Sequence, residues 1–250
     1  KRKAGIVIFV IVLIITAVRI KSMDSHRISG RILAENIAGP GMLRLVEQSM
    51  QARARKTSVT EIAVKERKHP QAALTFDDGP DIRYTPLLLD GLKERNVRVS
   101  FFLLGEKVEQ YPELVERMQK EGHLVGNHTY HHVQLNKLNE TKAREEILKT
   151  NNLIYETTGV YPLYLRPPFG AWKKNLELCV EMLPVFWTID TLDWKVQNTE
   201  KIVRTVQEQI EDGAIMHDEY DTSVEAALQV VDELKNQGYE LVTVDQLILP

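Results

Sequence analysis

From residue 72 onward the chain alternates between two hydrophobic rhythms. Short apolar runs favouring β structure occur at residues 72–76, 97–104, 123–126, 164–166, 185–189, 214–216 and 240–244, and they read as strands. Between them, apolar positions recur at helical spacing, which predicts helices over 85–95, 108–121, 140–156, 173–182, 200–211 and 223–236. The punctuation agrees. Gly122, Gly159 and Gly238 stand at expected helix stops, while Asn139-x-x-Lys142 and Thr222 stand near expected starts. Strands alternating with helices predict parallel β/α units, closed into a barrel or laid out as an open doubly wound sheet. Neither internal repeats nor low-complexity tracts interrupt the pattern.

The first 70 residues have a different texture. Lys1-Arg2-Lys3 precedes an uncharged run over 4–18, closed by Arg19 and Lys21. The run is short of the ~20 residues that span a bilayer comfortably. Including Ile20, and letting Arg19 and Lys21 snorkel, brings it close to that length. No small-x-small cleavage site follows, so residues 1–22 are expected to be an uncleaved membrane anchor. The basic end would then be cytoplasmic and the rest of this single-pass chain outside; cleavage would instead make it a secreted protein. Residues 23–70 carry mixed polar residues, a Gly39-Pro40-Gly41 break and basic residues from Arg53 to Lys68. They read as a stalk with mostly solvated charges, leaving 71–250 as the globular domain.

Composition narrows the class. With 250 residues, 43% of them hydrophobic, the chain can build one substantial α/β domain plus extras. Its 32 basic and 35 acidic residues leave a formal charge of −3, which gives no basic face for a nucleic-acid partner. The single cysteine, Cys179, excludes an intramolecular disulfide and a cysteine-rich metal site, and in its apolar stretch it reads as core.

Polar residues with chemical potential collect at the predicted strand ends. Asp77 and Asp78 end the first strand, His128 follows the third and Arg166 ends the fourth. Asp190 and Asp193 follow the fifth, and His217 ends the sixth. Parallel α/β architectures place their sites at such carboxyl ends. Adjacent carboxylates on a strand end project in opposite directions, so Asp77 and Asp78 are expected to divide two roles, metal ligand and partner of a metal-bound water; an Asp-Gly-Pro turn with a cap would account for part of the same motif. Three of the seven histidines fall within Asn127-His128-Thr129-Tyr130-His131-His132. On a helical turn His128 and His132 would share one face and, with Asp78, make a His-His-Asp metal set with open positions, His131 facing away. Such a set accepts zinc, cobalt or nickel. Arg166 can pair with Asp77 and keep it ionised, which is physically the same contact as a structural salt bridge. Trp194 and Trp172 suit either a sugar platform or the core. His217 is either a neutral core histidine or a general acid with acidic neighbours.

The segments TFDDGP, HTYHH, RPPFG, DTLDW and the strand-ending MHD resemble, in order, the five motifs of polysaccharide deacetylases with the NodB homology domain, carbohydrate esterase family 4. The resemblance runs over residues 72–249 and implies an α/β fold, a distorted (β/α)7 barrel rather than a regular eight-fold one. It implies Asp77 as catalytic base, Asp78, His128 and His132 as ligands of one divalent metal, zinc foremost, and Arg166 as the group orienting the base. It further implies His217 as general acid tuned by Asp193, the Phe169 amide as an oxyanion donor, and Pro168, Phe169 and Trp194 along the substrate groove. The implied reaction removes N-acetyl groups from an extracytoplasmic polysaccharide, foremost the N-acetylglucosamine of peptidoglycan, by a monomer. Chitin oligomers, an exopolysaccharide or xylan are the other substrates of that class, and a weakly catalytic glycan-binding protein is the rival class. One departure stands out. The strand before His217, Asp212-Gly213-Ala214-Ile215-Met216-His217, is two residues shorter than the family's usual Gly-Ser-Ile-Ile-Leu-Met-His. Strand parity survives this, but the strand is expected to lose ~6.6 Å, with His217 less well seated.

Overall fold

The computed structural model describes residues 69–172, 182–218 and 222–248, with the backbone alone for residues 194, 216–218 and 222–223. The expected anchor and stalk, the core placement of Cys179 and all but the last residue of the helix expected over 173–182 lie outside the described residues. The first half of the domain runs β1 (Gln71–Asp77), α1 (Tyr84–Glu94), β2 (Ser100–Leu103), α2 (Gly105–Gln110), α3 (Pro112–Lys120), β3 (Leu124–Asn127), α4 (Glu140–Thr158) and β4 (Tyr164–Leu165). The second half adds β5 (Leu183–Pro184), β6 (Ile189–Asp190), α5 (Asp193–Val196), α6 (Thr199–Gln209), β7 (Ala214–Asp218), α7 (Thr222–Asn236), β8 (Glu240–Leu241) and α8 (Val244–Ile248). Residues 135–137 and 168–170 form single 3-10 turns.

All strand pairs are parallel, in the order β5-β4-β3-β2-β1-β7-β6, with β8 added against β1. The sheet has to curl. Its two end strands, β5 and β6, are near neighbours in sequence. The Val185 N–H donates to Leu165 O of β4 at 2.8 Å, and the Thr188 N–H donates to Ile215 O of β7 at 3.0 Å. Three residues of chain reach at most ~10 Å, so the two edges approach closely and the sheet becomes a curled half-barrel. The single strand expected over 185–189 is therefore a bridge between the edges, with ladder pairing only at its ends.

Period-two alternation sorts the strands into two faces. Ala72, Leu74, Phe76, Phe101, Leu103 and Val125 pack outward beneath the helices, in one cluster with Leu88, Leu92, Met118, Val203 and Val230. Ala73, Phe102, Tyr164, Val185 and Val244 form a smaller inner cluster. Thr75 and Asp77 follow Ala73 at steps of two along β1, so the inner face is apolar below and polar at the carboxyl end. Gly126 makes that interior possible, because a Cβ there would lie 2.6 Å from the Phe102 ring.

Local signals explain most element ends. The Asn139 side chain caps α4 by accepting the Lys142 N–H at 2.9 Å, and Gly159 ends it with φ 71°. The helix expected over 108–121 is two helices. Tyr111 breaks it at φ −134°, ψ 59°, and Pro112, which has no N–H to give, restarts it at the first position.

Candidate active site

The carboxyl ends of the strands converge as the sequence suggests. Asp77 closes β1, His128 follows β3, Arg166 follows β4, Asp193 opens α5 and His217 lies in β7. Asp77 and Arg166 are both essentially buried, with side chains 1% and 0% exposed. The Arg166 guanidinium donates from Nη1 to Asp77 Oδ1 at 2.8 Å and to Thr75 Oγ1 at 2.5 Å. Its Cζ lies 4.3 Å from the Phe102 ring centroid and 5.7 Å from that of Trp187. Two aromatic faces and one carboxylate thus compensate a cation that would otherwise be costly to bury.

Asp78 departs from strand geometry. At φ 62° it enters the left-handed region, so the two carboxylates do not simply project apart as alternation predicts. Asp77 Oδ2 lies 3.7 Å and Asp78 Oδ1 3.5 Å from the same atom, His128 Nε2. His132 Nε2 is also 3.5 Å from Asp78 Oδ1. The imidazoles of His128 and His132 are 5.0 Å apart by centroid, but no helical turn brings them together. Residues 128–134 form a loop in which Thr129 (φ 67°) and His132 (φ 55°) are left-handed. The i, i+4 spacing pointed to the right pair through the wrong local structure. His131 does face elsewhere: it is exposed, with Nδ1 2.7 Å from Glu146 Oε1.

His128 is oriented by its surroundings. Its Nδ1 lies 2.6 Å from Arg166 O, and a carbonyl can only accept, so the proton sits on Nδ1 and the Nε2 lone pair faces Asp78. Burial pushes its pKa below the ordinary histidine value, with Asp77 and Asp78 opposing that shift. Neutral imidazole is the ligand form.

The remaining predicted residues surround this centre. Phe169 has φ 59°, is 62% exposed, and its ring lies 4.5 Å from that of His132; Pro168 beside it is buried. Asp193 is fully buried. Asp190 is absorbed locally, its Oδ1 accepting the Leu192 N–H at 3.0 Å. The shortened strand keeps its pairing: β7 runs beside β1 over five positions, with His217 opposite Thr75. Thr75, Asn127 and Glu146 were not anticipated. Asn127 sits in the quoted histidine motif, and a buried amide at a strand end was the available signal. It donates to Asn151 Oδ1 at 2.6 Å and to Ile147 O at 2.9 Å, and accepts the Thr129 N–H at 2.7 Å.

Comparison with known proteins supplies the family. The family model "Polysaccharide deacetylase" matches residues 64–186. A peptidoglycan-N-acetylglucosamine deacetylase of Bacillus cereus is 38% identical over 187 residues, covering 71% of this chain and 68% of that protein. The chain belongs to the polysaccharide deacetylase family. Another relative of this polysaccharide deacetylase, the peptidoglycan-N-acetylglucosamine deacetylase PgdA of Listeria monocytogenes, is 41% identical over 185 residues. That match covers 73% of this chain and 40% of PgdA, so the chain spans well under half of that relative's length. The solved structure of peptidoglycan deacetylase PdaC from Bacillus subtilis superimposes with a TM-score of 0.70 at 39% identity, covering 72% of this chain and 91% of that one.

The residues of the polysaccharide deacetylase fit a metal ion. Asp78, His128 and His132 each offer a ligand atom, all within 4.8 Å of one another, and no other such group occurs among the described residues. Ligands of a tetrahedral ion at about 2.0–2.2 Å lie about 3.3–3.6 Å apart. The two carboxylate-to-imidazole distances of 3.5 Å match that separation.

Proposed function

We propose that the chain hydrolyses N-acetyl groups on an extracytoplasmic polysaccharide, with N-acetylglucosamine of peptidoglycan as the preferred residue. The carrying observation is the buried Asp77–Arg166 pair, 2.8 Å between charges, beside a separate Asp-His-His triplet. A base and a metal set side by side are what amide hydrolysis requires. The names of the relatives support the substrate: those from Listeria monocytogenes and Bacillus cereus are N-acetylglucosamine deacetylases. PdaC of Bacillus subtilis, 42% identical over 177 residues, is named an N-acetylmuramic acid deacetylase, which makes that sugar the alternative.

In this reading Asp78, His128 and His132 hold one divalent ion, zinc foremost, with cobalt or nickel accepted by the same donors. When bound, the ion supplies Lewis-acid polarisation of the acetyl carbonyl and acidifies water. Asp77 removes a proton from the attacking water, and Arg166 keeps that carboxylate ionised and aimed. The Phe169 N–H donates to the developing oxyanion. His217, tuned by Asp193, protonates the departing nitrogen as the C–N bond breaks, releasing acetate and a free amine on the sugar. Pro168, Phe169 and Trp194 line the groove. The apolar run of residues 4–18 between basic flanks supports attachment to the membrane with the domain outside. Among the described residues no helix is long and apolar enough to cross a membrane.

The test is acetate release by the full chain from N-acetylglucosamine oligomers and from peptidoglycan, with zinc or cobalt added and chelator as control. Metal-dependent release is the expected result, and the better polymer names the substrate. Tight binding of one ion without acetate from any polymer would overturn the hydrolase reading. For the attachment, sedimentation of the full chain with membranes should be lost when residues 1–22 are removed.

A further inference from the structure

The five residues from His128 to His132 carry two of the three candidate ligands on irregular backbone. Two of the five, Thr129 and His132, are left-handed, a conformation that costs roughly 1–3 kcal/mol at a non-glycine residue and persists only when its surroundings impose it. The surroundings do so through the peptide groups. The Thr129 and Tyr130 carbonyls accept from Gly105 N at 3.0 Å and Glu106 N at 3.3 Å, at the start of α2. On the other side one side chain of α4 takes two of the three intervening amides: Glu146 Oε2 accepts from Tyr130 N at 3.0 Å and from His131 N at 2.9 Å. Its second oxygen meets His131 Nδ1 at 2.7 Å. With its side chain 16% exposed, the carboxylate makes charge-assisted bonds that are stronger than neutral ones.

We propose that Glu146 is a positioning residue for the metal centre. It pins two of the peptide groups between His128 and His132, those of the Tyr130 and His131 amides, sets the separation of the His128 and His132 imidazoles, and thereby sets the affinity for a divalent cation. Its oxygens engage the peptide groups and the His131 ring rather than the ligand imidazoles, so it acts by geometry and not by adding negative charge at the ion. The inference rests on the reading of Asp78, His128 and His132 as a metal site.

Two substitutions separate geometry from charge. Glu146→Gln removes the charge but leaves an oxygen where both amides find it. Glu146→Asp keeps the charge but withdraws the oxygens by about one methylene, roughly 1.5 Å. Zinc affinity of the full chain, measured by competition with a chromogenic chelator and without any substrate, should fall about 10–100-fold in Glu146→Asp. It should stay within about threefold of the unsubstituted chain in Glu146→Gln, the conservative replacement that rescues. Circular dichroism on the metal-free proteins establishes that each is folded; if Glu146→Asp is not, Glu146→Ser serves as the shortened variant. The opposite order, with Gln weakened and Asp unchanged, would show a Coulombic role and overturn the proposal, as would unchanged affinity in a folded shortened variant. If the unsubstituted chain itself bound no zinc, the failure would lie in the metal-site reading.

Discussion

The sharpest chemical feature at residue scale is the pairing of Asp77 with a fully buried Arg166. Removing one member leaves a buried charge uncompensated, which costs about 3–5 kcal/mol. Asn at position 77 is the gentler probe, because it keeps shape and removes the basic carboxylate. Asp77→Asn should lower kcat/KM for acetate release about 10²–10⁴-fold while zinc affinity stays near that of the unsubstituted chain. Turnover close to the original would remove Asp77 from the role of base. His123 is a second informative residue, far from the chemistry. It is 4% exposed, accepts the Val99 N–H through Nδ1 at 3.1 Å, and stands edge-on to Phe101. Burial lowers its pKa to about 4, with Arg98 and Arg117 acting in the same direction and Glu121 against it. Since the native value lies below the unfolded one, the unfolded chain binds the extra proton first. The contribution is therefore complete above about pH 6.5 and is lost as pH falls toward 4, on the order of 3 kcal/mol in all. Urea unfolding at pH 7 and 4.5 should show His123→Gln losing roughly 2–3 kcal/mol less than the unsubstituted chain over that interval.

The histidine loop shows what separate elements impose on each other. It is clamped between the start of α2 and the face of α4, and Gly105 is what lets α2 come so close. A Cβ at that position would lie 2.4 Å from Tyr130 Cδ2 and 2.5 Å from Thr150 Oγ1. Tyr130 is also tied by its hydroxyl to Glu109 of α2, and Lys149 of α4 sits 3.4 Å from its ring centroid. Gly105→Ala should push the loop off its support, destabilising the domain by about 1–3 kcal/mol. The same change should weaken zinc binding, even though residue 105 is not a ligand. Thermal unfolding of the metal-free protein together with chelator competition would check both parts. A fall in stability with unchanged affinity would mean that the loop holds its shape without α2.

Across the whole molecule, parallel pairing puts every strand's carboxyl end at the same rim, so residues scattered from 77 to 217 share one mouth. The candidate ligands come from two strand ends, and an ion bound there links β1 to the loop after β3. Ligand binding confined to the native state raises stability by about 2.7 kcal/mol at a concentration 100 times the dissociation constant. The full chain should accordingly unfold several degrees higher with zinc than with chelator, and the increment should vanish in His128→Ala. An equal increment in that variant would place the bound zinc elsewhere.

The sequence by itself determined the strand and helix alternation, the helix ends at Asn139 and Gly159, and which polar residues, Asp77, Asp78, His128, His132 and Arg166 among them, stand at the strand ends. Each of these is written in local periodicity, in a residue with special backbone or capping chemistry, or in polar residues placed just after an apolar run. Tertiary structure alone decided three other matters. The break between α2 and α3 at Tyr111 overrode a helical pattern that continued through it, although Pro112 was the visible warning. Closure of the sheet by residues 185–188 depends on two edges that only the assembled strands create. The convergence of His128 and His132 comes from left-handed backbone at Thr129 and His132, conformations neither residue favours by itself. They are imposed by Asn127, Gly105 and Glu146, through contacts that reach from Gly105 on one side to Glu146 on the other, beyond any local pattern of sequence.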